Sequence, residues 1–274
     1  MQSVNRKVLP GFSLTLGYTV FYLSVLVLFP IVACFVRAAS LSFDDFWRAV
    51  WTDRARAAYL LTFGTSFVAA LANVVFGALI AWVLVRYEFP GKRLIDSLVD
   101  LPLALPTAVG GLVYASLYVK TGWLGQYLVP LGIHGAYTRF GIVLVLIFVG
   151  LPFVVRTVQP VLEDFDAESE EASSSLGATR FQTFHSVILP SLFPALITGF
   201  ALAFARSVGE YGSVVFVSGN MPFKTEIAPI LIVARLEEFA YSEATAIAVV
   251  LLVISFSMLF LINYLESWTR RHAG

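Results

Sequence analysis

Long uncharged stretches limit how this chain can fold more than any other feature. Residues 8–36 and 57–85 each run 29 residues without Asp, Glu, Lys or Arg. Residues 101–119, 140–155, 186–205 and 244–265 add further runs of 19, 16, 20 and 22. A membrane-crossing helix needs about 20 mostly apolar residues, because each adds about 1.5 Å across roughly 30 Å of hydrocarbon. Six such runs predict an all-α polytopic membrane protein with six transmembrane helices. The fourth continues past Arg156 to Leu162 and is the weakest by charge. Barrel strands alternate apolar and polar residues over segments of about ten, and these runs are continuously apolar.

Composition agrees. The 274 residues are 58% hydrophobic and 13% charged, whereas soluble domains are roughly 45–50% apolar and about 25% charged. That surplus cannot be hidden in one core of this length, so the lipid bilayer is the expected surrounding. Formal net charge is zero, so no nucleic-acid partner is expected. The lone cysteine, Cys34, builds neither a disulfide framework nor a thiolate cluster. His134, His185 and His272 lack ligand spacing, so no metal site is expected. There is no Gly-x-Ser-x-Gly elbow and no His-Glu-x-x-His pair, so no catalytic residue is assigned. A P-loop is absent too: Gly91–Lys92 is followed by Arg93, and Arg86 stands where the first glycine would be.

The first run has Arg6 and Lys7 in front, as a signal peptide would, but it is too long for one and lacks a small-residue cleavage site. It is read as an uncleaved helix over about Leu14 to Val36. Six spans put both termini on one side, and the basic residues divide nine against nine between the sides. The short 86–93 connector and the Arg270–Arg271 tail favour cytoplasmic termini. The expected organisation is a first helix and external loop over 1–56, a five-helix core over 57–268 with a loop at about 163–190, and a tail over 269–274. Val50–Arg56 and Gly132–Tyr137 are read as external loops. No internal repeat is evident, which counts against many secondary-transporter folds.

The segment EEASSSLGATRFQTFHSVILP, residues 170–190, is the polar connector between the fourth and fifth runs. Leu162, Phe165, Ser169, Ala172 and Leu176 recur at helical spacing, with acids and serines on the other faces. Asp164 or Asp166 would cap the helix, Gly177 would end it in a left-handed conformation, and Leu189–Pro190 would start the next span. An interfacial helix lying on lipid would be basic, and this one is acidic, which fits an anionic inner leaflet poorly. A protein that grips the helix is the better reading.

Here the sequence resembles the permease subunits of binding-protein-dependent ABC importers. Their cytoplasmic loop reads Glu-Ala-Ala, three residues, Gly, nine residues, Ile, one residue, Leu-Pro. Glu171, Ala172, Gly177, Leu189 and Pro190 match at that spacing, while Ser173 replaces the second Ala and Val187 the Ile. The resemblance implies a type I importer permease fold with a cytoplasmic coupling helix that docks in an ATPase subunit. It assigns Glu170, Glu171, Ala172, Ser173, Leu176 and Gly177 to that contact.

Two further stretches bear on transport. In DLPLALPTAVGGL, residues 100–112, Pro102 and Pro106 each remove a backbone donor, and Gly110–Gly111 permits close helix approach. Both residue types are common in membrane helices for packing alone; the functional reading is that the broken ends line a water-filled passage. In FARSVGEYGS, residues 204–213, Arg206 and Glu210 share a helical face. A charge at mid-bilayer costs about 2.5–3.5 kcal/mol on insertion scales and so faces the bundle interior. The plain reading is an intrahelical ion pair at the outer end of the fifth span. The sharper one places Arg206, Gly209, Glu210 and Tyr211, with Pro102 and Pro106, along an anion path or gate, Gly209 and Gly212 supplying backbone freedom.

These stretches, with RKVLPGFSLTLGYTVFYLS and LPFVVRTVQPVLE, resemble the T-type permease subunits of bacterial sulfate/thiosulfate ABC importers along nearly the whole chain. Molybdate permeases share the DLPLALPTAVGGL-like and SVGEYGS-like stretches but usually lack the long first segment. The resemblance implies a W-type permease partner, an ATPase subunit dimer that binds ATP and Mg, and a sulfate-binding protein. No cofactor is expected in this chain itself.

Overall fold

The computed structural model describes residues 12–272. Arg6 and Lys7, used in the charge tally, and the last two residues of the 269–274 tail lie outside the described residues. Among those described, every regular element is helical.

The first span runs from Leu14 to Ala39. It joins α1 (Phe12–Leu23) to α2 (Phe29–Ala39) through a π turn over Ser24–Leu28. Phe29–Pro30 follows that turn directly. Proline lacks an N–H and crowds the turn before it, and a turn widened by one residue absorbs both defects. Helix α3 (Phe43–Val50) begins at Ser42, whose hydroxyl accepts from the Asp45 N–H at 3.2 Å. Helix α4 (Asp53–Arg86) begins at Thr52, which accepts from the Ala55 N–H at 3.1 Å. Val50–Arg56 is therefore not a loop: only Trp51 and Thr52 separate the two helices. The charges that suggested a loop occupy a capped first turn, where Asp53 suits the helix dipole.

Helices α5 (Lys92–Val99) and α6 (Leu101–Ala104) precede α7 (Thr107–Tyr118). The third uncharged run is thus divided. Leu105 is extended at φ −81°, ψ 137°, because the residue before a proline is driven out of the helical region. Among the described residues, five helices are long and apolar enough to cross a membrane, and α7 is a shorter apolar helix. After α8 (Gly125–Leu128), the 132–137 segment is irregular, as expected. Helix α9 (Arg139–Glu163) continues through Pro152, Arg156 and Pro160. It is followed by α10 (Ala167–Ser175), α11 (Arg180–Thr183), a second π turn over Phe184–Ile188 and α12 (Leu189–Val208). The chain ends with α13 (Val214–Val217), α14 (Ala228–Glu237) and α15 (Tyr241–His272).

Helices α4, α9 and α12 form the core. Val145, Val154, Val155 and Val158 of α9 are fully buried. Small residues set the separation: an added Cβ on Gly199 would lie 3.1 Å from the Val154 backbone, and one on Gly77 would lie 2.8 Å from the Val154 side chain. Helices approach this closely in membranes because packing, not hydrophobic transfer, holds them together. The first span lies outside this core and touches it through the contact of α2 with α15.

Candidate coupling and gate sites

Helix α10 is defined at both ends by its own side chains and backbone. Asp166 caps it, accepting from the Glu168 N–H at 2.9 Å, and Glu168 and Glu170 occupy the first turn. Gly177 sits at φ +83°. Its N–H donates to the Ser174 carbonyl at 3.0 Å, and that of Ala178 donates to Ser173 at 3.2 Å. This is the left-handed closure expected of glycine. The expected apolar face does not form, however. Leu162 belongs to α9 and is buried, while Leu176 is 89% exposed.

The chain also pins α10 to its neighbours. Glu170 pairs with Arg86, the last residue of α4. Arg86 in turn lies over the rings of Trp82 at 5.2 Å and Phe165 at 5.9 Å. Ser173 Oγ and Thr183 Oγ1 share a hydrogen bond of 3.0 Å. Thr179 and Gln182 form a capping box, so the next helix starts at Arg180. The span therefore begins at Arg180, before the expected Leu189–Pro190, where α12 follows directly on the second π turn that absorbs the proline, as at Pro30. Of the six residues assigned to the contact, Glu170 and Ser173 turn inward to partners. Glu171, Ala172, Leu176 and Gly177 face outward, beside a Phe181 that is 74% exposed. Phe181 was legible as an apolar residue in a polar loop; Arg86 carried no such signal.

Inside the bundle, the two stretches singled out in the sequence meet. A Cβ on Gly111 of α7 would lie 2.1 Å from the Ser213 carbonyl oxygen, and one on Gly212 would lie 2.2 Å from Thr107 Oγ1. Ser213 is held by Glu210, whose Oε1 accepts from the Ser213 N–H at 2.9 Å and from its hydroxyl at 2.8 Å. Oε2 of the same carboxylate pairs with Arg206 Nη1 at 2.5 Å. Glu210 is buried, whereas the Arg206 side chain is one-third exposed and its other N–H groups have no partner among the described residues. Tyr211 is 37% exposed beside them. Gly209 caps α12 at φ −86° with space around it, so glycine is not required there; Gly212 is the position where close packing demands it. Pro106 is the cap of α7, and Pro102 is buried in α6.

Two arginines make long-range ion pairs that were not legible in the sequence. Arg54 holds the buried Glu226 through two bonds of 2.8 and 2.7 Å. Arg156 reaches from α9 to Asp96 at 2.6 Å and to Asp100 at 2.9 and 2.6 Å. That bracket lets a cation sit in a membrane helix, because its donors are satisfied by carboxylates on the adjoining segment.

A helical membrane bundle with an exposed acidic helix pinned between two spans is the architecture of an importer permease, and comparison with known proteins agrees. Residues 73–271 match the family described as binding-protein-dependent transport system inner membrane component. The chain is 51% identical over 256 residues to the sulfate transport system permease protein CysT of a Synechocystis species, covering 93% of this chain and 90% of that one. It is 48% identical over 271 residues to CysT of Escherichia coli K12, covering 98% of each. Among solved structures it is similar to a bacterial ABC transporter that imports alginate, with a TM-score of 0.78 at 15% identity over 93% of this chain and 94% of that one. It is also similar to the inward-facing MetNI methionine transporter, with a TM-score of 0.56 at 20% identity over 85% and 100%. The chain belongs to the binding-protein-dependent transport system inner membrane components. The resemblance to T-type sulfate permeases holds across almost the whole chain.

Proposed function

We propose that this chain is the T-type half of a heteromeric sulfate/thiosulfate import pore, lying in the bacterial inner membrane with both termini in the cytoplasm. A separate ATPase dimer would grip the outward face of α10 at Glu171, Ala172, Leu176 and Gly177. A W-type permease would complete the pore, and a sulfate-binding protein would deliver the anion to the outer face. ATP and Mg would be bound by the ATPase. When ATP binding closes that dimer, α10 moves and carries α4 and α12 with it, switching the pore between two discrete states. Sulfate is a full dianion and is costly to bury without donors and positive charge. The unpartnered N–H groups of Arg206, beside the meeting point of α7 and residues 209–213, offer both.

The observation that carries this reading is the end-to-end identity of about half the residues with sulfate permeases. Uptake of labelled sulfate, thiosulfate, molybdate and tungstate by the complex reconstituted in vesicles tests it. Sulfate and thiosulfate should enter only with ATP and binding protein present. Preferential molybdate or tungstate uptake would reassign the substrate. Uptake driven by an ion gradient without ATP would make the chain a secondary transporter.

A further inference from the structure

We propose that the cleft between α2, α3 and the start of α15 binds the headgroup phosphate of an anionic phospholipid. Helix α3 joins the end of one span at Ala39 to the start of the next at Asp53, so it lies at a membrane boundary. Arg86, at the far end of the 34-residue α4, touches α10, which puts α3 at the opposite end of the bundle from the coupling helix. Phe43, Trp47 and Trp51 recur every four residues and stack with ring centroids 6.5 and 5.2 Å apart. They are 80%, 50% and 51% exposed. An exposed aromatic row on an amphipathic helix between two spans is the pattern of a segment resting among headgroups.

The polar face of α3 turns to a cleft of about 660 Å³, lined by Arg48 and Asp45 of α3, Arg37 of α2 and Glu243 of α15. The acids already have partners. Asp45 accepts from the Ser42 hydroxyl at 2.6 Å, and Glu243 lies 3.5 Å from Arg235 Nε. The arginines do not: among the described residues neither the Arg37 nor the Arg48 side chain has an ion pair or hydrogen bond. Both lie in the last turn of their helices, where the helix dipole favours a cation. The dipole accounts for their sign but not for their facing one cleft together. Two guanidinium groups at the rim of an apolar surface match a phosphate tied to acyl chains. The cleft has an apolar side as well, lined by Leu41, Ala49 and the exposed Phe239. A free anion would use only the arginines, whereas a lipid uses the apolar wall as well. That difference is why the lipid is the occupant proposed.

The test uses the assembled complex, delipidated and titrated separately with phosphatidylglycerol, phosphatidylcholine and inorganic phosphate, with retained molecules counted by native mass spectrometry. Phosphatidylglycerol should be retained in preference to phosphatidylcholine. The double variant Arg37→Gln/Arg48→Gln should weaken that retention by about thirtyfold. Each single variant should weaken it less, and Arg37→Lys/Arg48→Lys should keep most of it. Equal retention by wild type and the Gln pair overturns the proposal. So does inorganic phosphate displacing the lipid at equal concentration, which would make the cleft a free-anion site. Unchanged lipid retention with lost stimulation of ATP hydrolysis by the loaded binding protein would assign the cleft to protein docking instead. Should the Gln pair fail to assemble, the single variants decide by the same count.

Discussion

Gly110 and Gly111 are adjacent in α7, yet the structure assigns them opposite tolerances. A Cβ on Gly110 would meet Phe148 Cε1 at 3.6 Å, an ordinary contact. One on Gly111 would fall 2.1 Å from the Ser213 carbonyl oxygen, with the Ser213 carbonyl carbon and Cα both at 2.7 Å. Non-bonded atoms rest at roughly 3.5 Å, so the 209–213 segment would have to retreat by more than about 1 Å. Both substitutions to Ala gain the same intrinsic helix term of about 0.5–1 kcal/mol, which cancels when the two are compared. The difference between them is therefore the overpacking term, about 1–3 kcal/mol. At about 2–4 °C per kcal/mol for chains approaching this size, Gly111→Ala should unfold roughly 2–12 °C below Gly110→Ala. Gly212→Ala should fall between them, because the obstruction there is the Thr107 hydroxyl, and Thr107→Ala should restore it. Thermal unfolding of the assembled complex reads the order, and sulfate uptake should follow it. Indistinguishable midpoints for Gly110→Ala and Gly111→Ala would refute the close approach of α7 to Ser213.

Four further outcomes follow from the same geometry. Arg206→Ala strands the buried Glu210 with only the Ser213 donors, a loss of about 3–5 kcal/mol that Glu210→Gln in the same chain should partly restore; additive effects in thermal unfolding would show that the two do not act as a pair. Glu171→Lys should weaken co-purification of the ATPase while leaving permease folding unchanged, and Gly177→Val should do so by straining the φ +83° turn; full ATPase association in both would exclude this face of α10 from the contact. Arg54→Ala should destabilise by about 3–5 kcal/mol through the uncompensated Glu226, and Glu226→Gln added to it should recover much of that. Arg86→Ala should lower the uptake obtained per ATP hydrolysed more than Thr183→Ala does; the reverse order would place the transmission of movement in α12 rather than α4.

Five of the six expected spans were legible because solvent selects them locally: an uncharged run of 20 residues has few alternatives to a membrane helix. The third run was misjudged because Leu105–Pro106 divides it. The closure at Gly177 was also legible, since it depends on one residue's backbone freedom. The lower limit of α10 was not. Leu162 and Phe165 kept the helical period, but the chain had already used Leu162 to finish α9. The meeting of Gly111 with Ser213, and the pairs Arg54–Glu226 and Arg156–Asp100, join residues far apart in sequence, and no local pattern encodes such a partner. The charge tally treated Arg54 and Arg156 as loop-like markers of sidedness. Both are instead paired with carboxylates, but they stood on opposite sides of the tally, so leaving them out keeps it even, and only the short connector and the tail bear on orientation.

The two pins on α10 differ in what lies behind them, and that difference ranks them as routes for the proposed movement. Thr183 is followed at once by the π turn over Phe184–Ile188, before α12 enters the core. A widened turn interrupts the regular ladder and is where a helix yields. Arg86 is the last residue of α4, which runs 34 residues to Asp53 with neither a π turn nor a proline. Its guanidinium is also held between Glu170 and the rings of Trp82 and Phe165, so displacement of α10 meets charge pairing and packing together. The Ser173–Thr183 bond is one neutral hydrogen bond, worth about 1 kcal/mol net. A push on α10 should therefore reach the core first along α4, and α12 should follow through its buried contacts with α4 and α9 rather than through Thr183.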